Sequence, residues 1–325
     1  PGGGPAVGLD IGGTKVLGVA LDADGRVAAE VRRPTPEGAE EVLATLEEVV
    51  AEVDLLSGLA GAPVGVGAPG LIDRTGTVAF APNLPGVRSF PLRDRLVAVL
   101  GPERRLVVDN DATCAGWGER THGAAAGASD VLVVTLGTGI GGGVIIGGRL
   151  VRGAHGFAGE IGHMVVQPHG APCGCGRYGC WERYASGSGL GRLAREAAHA
   201  GRGGRMVELA GGDPEAVRGE HVAAAAGEGD AESLAVMEQF GWWVALGLVN
   251  LANAFDPEVI VLGGGLVGAG DLLLGPTRRA FADSIEGGRL RPEVAILAAT
   301  LGERAGAIGA ADLARLPEAE GGAGA

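Results

Sequence analysis

The stretch VLVVTLGTGIGGGVIIGGRLV, residues 131–151, repeats the order of an earlier stretch, VGLDIGGTKVLGVALDADGRV, residues 7–27. Each is an apolar strand, a glycine turn, a second apolar strand, another turn and a third strand. Thr135 takes the position of Asp10, and the later turn GTG takes the position of the earlier turn GGT. Two copies of one such unit predict two similar domains that face each other across a cleft.

The remainder of the chain alternates between short apolar strands and helical patterns, which is typical of an α/β fold. Strands are predicted at 64–67, 106–109 and 259–266, and helices at 40–56, 184–200, 232–255 and 303–316. Residues 201–230 are rich in glycine and charge and carry no such pattern, so we expect a mobile insertion there.

The composition is that of a globular protein, with 46% hydrophobic and 20% charged residues. The formal net charge is -13, which argues against general binding to nucleic acid or anionic membranes, because both need a basic face. No signal segment and no long uninterrupted apolar stretch is visible, so we expect a cytoplasmic protein without a membrane segment.

Three glycine turns follow predicted strands and are candidates for binding a nucleotide. In the first, DIGGTK, Asp10 can hold hydrated Mg²⁺ and Thr14 can donate a hydrogen bond to phosphate. The second turn, TLGTGIGGG, lets the backbone approach the same phosphates, and the third, at 263–265, leaves space for a base or ribose. Any one of them is more simply an ordinary turn, and neither the Walker pattern nor the dinucleotide fingerprint is present.

Three of the four cysteines lie within eight positions, at Cys173, Cys175 and Cys180. Three thiolates and one imidazole form a closed tetrahedral set that suits structural zinc. Both His163, at the end of GEIGH, and His169 lie near enough to be the fourth ligand, and the spacing does not choose between them. A group of buried reduced cysteines is the alternative interpretation.

Glu160 and Glu182 flank the cysteine cluster on either side. If His163 gives one ring nitrogen to a metal, its other N–H is a donor whose direction the metal fixes. A donor beside two carboxylate acceptors suits a polyhydroxylated ligand such as a sugar. Solvated surface charge is the alternative interpretation of both acids.

The segment VVDNDATC places Asp109, Asn110 and Asp111 at the end of a predicted strand. Asp111 suits two roles. One is to cap the helix that follows, which is the commoner use of such a residue. The other is to act as general base for a substrate hydroxyl that Asn110 orients, and the nearby phosphate turns and hydroxyl-binding cluster favour this second role.

Seven motifs together resemble the ROK family of bacterial sugar kinases and repressors: LDIGGTK, GAPGLID, DNDA, TLGTGIGGG, GEIGH, CGCGRYGCWE and VIVLGGGL. They follow the family's order from about residue 7 to residue 316. The resemblance implies the two-domain, actin-like ATPase fold of hexokinases, with ribonuclease H-like α/β domains and a cleft between them. It implies a small domain at 1–110 plus about 303–325, and a large domain at 111–302 with the zinc loop and a dimerisation surface.

The resemblance also implies an activity, because CWERYASG is most similar to the glucokinases of the family. That activity is transfer of the γ-phosphoryl group of ATP, with Mg²⁺, to the 6-hydroxyl of glucose, with Asp111 as catalytic base. The implied sugar site is Gly70, Asn83, Asn110, Asp111, Glu160, His163 and Glu182. The implied zinc ligands are His163, Cys173, Cys175 and Cys180, rather than His169. The implied nucleotide site is Asp10, Gly12, Gly13, Thr14, Lys15, Thr135, Gly137, Thr138, Gly139, Gly264 and Gly265.

Several alternatives stay open at this point. Fructose, mannose, allose or N-acetylmannosamine is the alternative sugar, and polyphosphate is the alternative donor, although no basic tract for a long polyanion is visible. A sugar-sensing regulator is an alternative of another class, but the first strand begins by Val7, so we expect no helix-turn-helix domain before it. An actin-like chaperone or filament protein would leave the cysteine cluster unexplained. The resemblance further implies a homodimer or homotetramer.

Overall fold

The computed structural model describes residues 3–81, 84 and 86–317. The strands within these residues are β1 (Ala6–Ile11), β2 (Lys15–Leu21), β3 (Val27–Pro34), β4 (Val64–Ala68), β5 (Leu71–Ile72), β6 (Val78–Phe80), β7 (Arg88–Phe90), β8 (Leu106–Asn110), β9 (Val131–Leu136), β10 (Ile140–Ile146), β11 (Arg149–Leu150), β12 (Val259–Gly263) and β13 (Ala295–Ala298). The helices are α1 (Ala39–Ser57), α2 (Leu92–Leu100), α3 (Asp111–His122), α4 (Glu182–Ala185), α5 (Gly187–His199), α6 (Gly204–Leu209), α7 (Gly219–Gly227), α8 (Ala231–Phe255), α9 (Asp271–Ser284) and α10 (Ala305–Arg315).

The duplication seen in the sequence is also seen in the order of the strands. One five-stranded sheet has the order β3-β2-β1-β4-β8, and the other has the order β11-β10-β9-β12-β13. In both sheets, three consecutive strands form a meander. Two strands from later in the chain then extend the sheet next to the first strand of the meander, which is β1 in one sheet and β9 in the other. The later strands of the first sheet run parallel to β1, and β12 runs parallel to β13. A third, smaller sheet is antiparallel and has the order β5-β6-β7.

Hydrophobic burial accounts for the first sheet and its helices. Every residue of β1 except Asp10 is buried, as expected of a strand that is covered on both faces. Helix α1 buries Val42, Leu46, Val49 and Val53, which form one stripe at helical spacing. Helix α10 approaches β1 so closely that a methyl group on Gly8 would lie 1.9 Å from the carbonyl oxygen of Ala307.

The chain forms two compact units. Unit 1 consists of the described residues up to Val133, of Gly143–Gly159, and of the described residues from Thr300 onward. Unit 2 consists of Val134–Gly142 and Glu160–Ala299. The predicted domain limits, 1–110 plus 303–325 and 111–302, stay a prediction.

Two expectations for the region around residues 184–230 are wrong. The helix expected at 184–200 is divided into α4 and α5 at Ser186, whose hydroxyl oxygen accepts a hydrogen bond from the N–H of Gly189. The residues expected to form an unpatterned insertion, 201–230, include α6 and α7. Met206 and Val222 on these helices are buried, so the segment packs against the body of unit 2.

Helix α8 is long and apolar enough, on length and composition alone, to cross a membrane. Within the folded chain, however, 56% of its most apolar window is buried. Core helices of folded domains have the same character, so α8 is weak support for a membrane segment.

Candidate functional site

Three of the acidic residues noted in the sequence, Asp10, Asp109 and Asp111, lie at one edge of the first sheet, in unit 1. Asp10 in β1 is paired with Gly67 in β4, and Gly67 is paired with Asp109 in β8. These three strands are parallel, so the residues at their carboxyl ends lie side by side. Asn110 and Asp111 follow at once and join this edge.

Asn110 is the N-cap of α3, so the capping interpretation of Asp111 is wrong. The side-chain oxygen of Asn110 accepts a hydrogen bond from the N–H of Thr113 at 3.0 Å. Its amide nitrogen donates to the carbonyl oxygen of Gly70 at 3.0 Å. Asp111 is the first residue of the helix and accepts a hydrogen bond from the N–H of Ala112 at 2.8 Å. With the cap supplied by its neighbour, Asp111 is a candidate base.

Burial raises the pKa of two acids at this edge, Asp111 and Asp10. It raises the pKa of Asp111 to about 6. The pKa of Asp10 is raised to about 7, mainly by burial and then by the charge of Asp111, while Lys15 opposes the change. Carboxyl groups with such shifted pKa values are typical of catalytic and ion-binding positions. The oxygen donors of Asp10 have the chemistry that Mg²⁺ requires.

Arg152 is a residue of this edge that sequence reasoning does not identify. Its Nε atom donates to Oδ2 of Asp109 at 2.6 Å, and the two side chains are only 10% and 9% exposed. The other carboxylate oxygen of Asp109 accepts from the N–H of Asn110 at 2.9 Å. This buried ion pair holds the strand end that carries Asn110 and Asp111. Since 43 residues separate its members, no local motif indicates it.

The first glycine turn, between β1 and β2, presents backbone to solvent. The N–H of Gly12 donates to the carbonyl oxygen of Lys15 at 2.8 Å, and Gly13 and Thr14 at the tip are exposed. The ammonium group of Lys15 lies 2.5 Å from the carboxylate of Glu303. The turn therefore offers N–H and hydroxyl donors to an anion, while Lys15 is already engaged in an ion pair.

Gly70 and Asn83 are two further residues predicted to bind the sugar, and of these only Gly70 is among the described residues. Gly70 lies beside Asn110 through the hydrogen bond to its carbonyl oxygen. Asn83 lies outside the described residues. Gly70 therefore joins the candidate site in unit 1, and Asn83 stays a prediction.

In unit 2, the three clustered cysteines converge with His163. One ligand atom from each of the four residues lies within 4.8 Å of every other, and His169 is not a member of this group. The Sγ atoms of Cys175 and Cys180 are 3.7 Å apart, and Sγ of Cys173 is 3.7 Å from Nδ1 of His163. Ligands placed tetrahedrally around zinc at roughly 2.3 Å are roughly 3.8 Å from one another. The donor atoms therefore have the chemistry and the spacing that this ion requires.

Crowding at the cluster disfavours ionisation of the Cys173 and Cys180 thiols unless a cation compensates the charge. At Cys175 burial acts in the same direction, but hydrogen bonds from the Arg177 backbone and from the other two thiols outweigh it and lower the pKa. Burial and the neighbouring thiols raise the pKa of Cys180 to about 12. Burial also raises the pKa of Cys173. Because zinc binds the thiolate form, metal binding here must release protons and becomes stronger as the pH rises.

The motif GEIGH forms a short 3-10 turn at Ile161–His163. The imidazole of His163 directs Nδ1 toward Cys173, and Nε2 lies 3.8 Å from the carboxylate of Glu160. With Nδ1 on a metal, Nε2 would carry the proton and act as a donor. The side chains are 36% and 37% exposed, so a ligand can reach this pair of donor and acceptor.

Glu182 begins α4 directly after Trp181, which is fully buried. The indole N–H of Trp181 donates to the carbonyl oxygen of Trp243 at 2.7 Å. Its ring lies against α8 where Gly247 leaves space, since a methyl group there would lie 2.0 Å from the ring. Oε1 of Glu182 lies 3.8 Å from Sγ of Cys173, so this anchored segment turns its carboxylate toward the cluster.

The second glycine turn connects β9 to β10. The hydroxyl oxygen of Thr135 accepts a hydrogen bond from the N–H of Gly141 at 3.2 Å. The N–H of Gly137 donates to the carbonyl oxygen of Gly139 at 3.0 Å, which closes the turn, and Thr138 at its tip is exposed. Backbone and hydroxyl donors are thus available to an anion here too.

The third glycine turn follows β12, the neighbour of β9 in the sheet. Gly264 has a φ of 83°, and a methyl group on it would lie 2.4 Å from the carbonyl oxygen of Leu136. Gly265 has open space where a side chain would be. The backbone here is close to β9 on one side and exposed on the other, which leaves room for a flat ligand.

A profile of the ROK family matches residues 6–316 of the chain. A glucokinase of Streptomyces coelicolor is 40% identical over 318 residues, which are 97% of this chain and 99% of that enzyme. A glucokinase of Thermotoga maritima is 36% identical, with coverage of 94% and 96%. The crystal structure of a ROK family glucokinase from Streptomyces griseus, in complex with glucose and AMPPNP, is 41% identical and has a TM-score of 0.83, with coverage of 96% and 99%. These matches confirm the predicted actin-like ATPase fold with two α/β domains.

Proposed function

The chain belongs to the ROK family, and we propose that it is a glucokinase, which converts ATP and glucose into ADP and glucose 6-phosphate. The observation that carries this proposal is the similarity, over 96% of the chain, to a glucokinase whose crystal structure holds glucose and AMPPNP. The acids, the glycine turns and the cysteine cluster are then the proposed base and sugar ligands, the phosphate contacts and the zinc site.

Asp111 is the base of the proposed reaction. Its carboxylate accepts the proton of the glucose 6-hydroxyl while that oxygen attacks the γ-phosphorus of ATP. The bond from the γ-phosphorus to the bridging oxygen breaks, and ADP leaves. Because burial raises the pKa of Asp111 to about 6, the group is ionised at neutral pH and yet more basic than an exposed carboxylate. The Asn110 cap and the buried pair of Asp109 with Arg152 keep it in place.

The sugar hydroxyls are the proposed ligands of Glu160, His163 and Glu182 in unit 2, and of Gly70, Asn83, Asn110 and Asp111 in unit 1. The geometry in support is the Nε2 donor of His163 beside the Glu160 acceptor, at 3.8 Å. Alternating donors and acceptors of this kind match vicinal hydroxyl groups, each of which both donates and accepts.

Phosphate binding is proposed for the exposed turns of both units. The proposed phosphate contacts are Gly12, Gly13, Thr14 and Lys15 in unit 1, and Thr135, Gly137, Thr138 and Gly139 in unit 2. Gly264 and Gly265 are the proposed adenosine contacts. Asp10 would hold Mg²⁺, which when bound neutralises part of the phosphate charge.

The zinc ligands are proposed to be His163, Cys173, Cys175 and Cys180. The support is the spacing of their donor atoms, which all lie within 4.8 Å of one another. Zinc, when bound, supplies a fixed point that sets the direction of His163 and closes the loop beside Glu182. With four protein ligands no position is open to substrate, so the proposed role is structural.

Location and assembly are proposed from the family resemblance. We propose a cytoplasmic homodimer or homotetramer whose partners are glucose and ATP, rather than nucleic acid or a membrane. We further propose a small α/β domain at 1–110 plus about 303–325 and a large α/β domain at 111–302.

A phosphorylation assay across sugars and donors tests this function. The purified protein is incubated with Mg²⁺, with ATP or polyphosphate, and with glucose, fructose, mannose, allose or N-acetylmannosamine, and the sugar phosphates are measured by mass spectrometry. We expect the highest kcat/KM for glucose with ATP. A higher value for another sugar or for polyphosphate would identify a different ROK kinase, and sugar binding without phosphorylation would favour a regulator.

The pKa of Asp111 predicts the pH profile of this reaction. A general base must be ionised, so kcat/KM for glucose should decrease about tenfold per pH unit below a midpoint near 6 and level off above it. The measurement is kcat/KM between pH values on both sides of that midpoint, at saturating MgATP and constant ionic strength. A midpoint near that of an exposed carboxylate, about 4, would contradict a buried base.

A further inference from the structure

Glu182 makes a contact that the proposed sugar site does not require. Its Oε2 atom accepts a hydrogen bond from the backbone N–H of Ile140 at 3.0 Å. Ile140 directly follows the glycine turn at 137–139, which is the proposed phosphate turn of unit 2. The other oxygen, Oε1, lies 3.8 Å from Sγ of Cys173 in the zinc cluster. One carboxylate therefore touches both the cluster and the phosphate turn.

The phosphate turn is shaped to admit this carboxylate. A methyl group on Gly139 would lie 2.3 Å from Oε2 of Glu182 and 3.2 Å from its Cδ atom, whereas a methyl group on Gly137 would have nothing within 4 Å. Neither glycine has a positive φ, so backbone conformation requires glycine at neither position. The three atoms nearest to such a methyl group on residue 139 all belong to Glu182, so glycine at this position leaves room for the carboxylate.

A second hydrogen bond ties the same turn to the chain that carries Glu182. The N–H of Gly187, at the start of α5, donates to the carbonyl oxygen of Gly137 at 2.8 Å. The turn is thus held near both of its ends by the segment 182–187. That segment is itself fixed by Trp181, whose side chain is fully buried.

We infer that Glu182 is a positioning residue for the nucleotide as well as a ligand of the sugar, so that glucose and nucleotide binding are coupled through this one carboxylate. A sugar hydroxyl on Oε1 would restrict rotation of the group and keep Oε2 on the N–H of Ile140. The turn would then be held in the form that receives phosphate. Such coupling is reciprocal, so bound nucleotide must raise the affinity for glucose by the same factor by which glucose raises the affinity for nucleotide. The inference rests on the proposed function, which supplies the two ligands.

Two alanine variants form the test, because the methyl group meets Glu182 at Gly139 and open space at Gly227, an exposed residue at the end of α7 that has no part in the proposed sites. Glucose affinity is measured by calorimetry without nucleotide, after zinc content and melting temperature have been matched to wild type. Gly139→Ala should weaken glucose binding by at least about tenfold, because it displaces a carboxylate that makes charge-assisted hydrogen bonds. Gly227→Ala should stay within about twofold of wild type, inside the scatter of neutral substitutions.

A double-mutant cycle separates coupling from general damage to the turn. MgADP affinity is measured for Gly139→Ala in the wild-type background and in the Glu182→Ala background. The loss caused by Gly139→Ala should largely disappear when residue 182 is alanine, because the methyl group then meets no carboxylate. If Gly139→Ala does not fold, Glu182→Asp replaces it. The shorter side chain keeps the charge but withdraws it from the N–H of Ile140. This substitution should therefore weaken the binding of MgADP as well as the binding of glucose.

Equal glucose affinity for Gly139→Ala and wild type, equal losses in Gly139→Ala and Gly227→Ala, or unchanged MgADP affinity in Glu182→Asp would overturn the inference. These results are distinct from failure of the proposed function, in which the wild-type protein itself would not phosphorylate glucose.

Discussion

Replacement of Asp111 by asparagine is expected to lower kcat for glucose phosphorylation by about 10²–10⁴-fold, the usual contribution of a general base. Asparagine has the same size, and its amide oxygen can still accept the hydrogen bond from the N–H of Ala112, which is 2.8 Å long in the native protein. It cannot accept a proton from the sugar. The loss should therefore fall on kcat, while the dissociation constant of glucose changes by less than about threefold.

Asp94 provides a matched control for this substitution, because it lies in the first turn of α2 and has no part in the candidate site. Asp94→Asn should keep the turnover of the wild-type protein. If Asp111→Asn retained turnover within about tenfold of wild type, less than a general base normally contributes, another group would have to be the base.

Loss of zinc is expected to weaken glucose binding by about 10- to 100-fold, the range found when groups that orient a site are removed. The imidazole of His163 directs Nδ1 into the cluster, and Oε1 of Glu182 lies 3.8 Å from Sγ of Cys173. Without the ion, the imidazole of His163 and the carboxylate of Glu182 lose the fixed point that directs them toward the proposed sugar position. Cys175→Ser removes an exposed ligand without altering either sugar contact, so it is the variant of choice. Metal content and glucose affinity are the two measurements.

His169→Asn is the matched control for the zinc prediction. His169 has a φ of 59°, a conformation that asparagine tolerates, so the substitution adds little strain. The variant should keep both its zinc and its glucose affinity. Loss of zinc in His169→Asn would identify His169, rather than His163, as the fourth ligand. Wild-type glucose affinity in zinc-free Cys175→Ser would refute the positioning role of the ion.

The duplicated strand–turn–strand unit could be predicted from the sequence because it depends on local patterns. Strands β1 and β9 are each followed by a glycine turn and an apolar partner, and the two copies fold into sheets of equal order. The helices α6 and α7 could not be predicted in this way. They are short, with 6 and 9 residues, and their burial depends on contacts with the rest of unit 2 rather than on a strong apolar stripe.

At the candidate site, residue types could be predicted but their long-range contacts could not. The cysteine spacing predicted the cluster because its three cysteines are close in sequence. The pair of Asp109 with Arg152 and the hydrogen bond from Ile140 to Glu182 join residues more than 40 positions apart. The choice of Asn110 as helix cap turned on a shift of one residue in the start of α3, which is finer than sequence patterns resolve.

A crystal structure of the zinc-loaded protein with glucose and AMPPNP would test the central claim most directly, because it gives the distance from the Asp111 carboxylate to the glucose 6-hydroxyl. The account predicts a hydrogen bond of about 2.6–3.2 Å between them, the range within which a general base acts. A 6-hydroxyl that is bound by another group, with the Asp111 carboxylate in contact only with the N–H groups of its own helix, would contradict it.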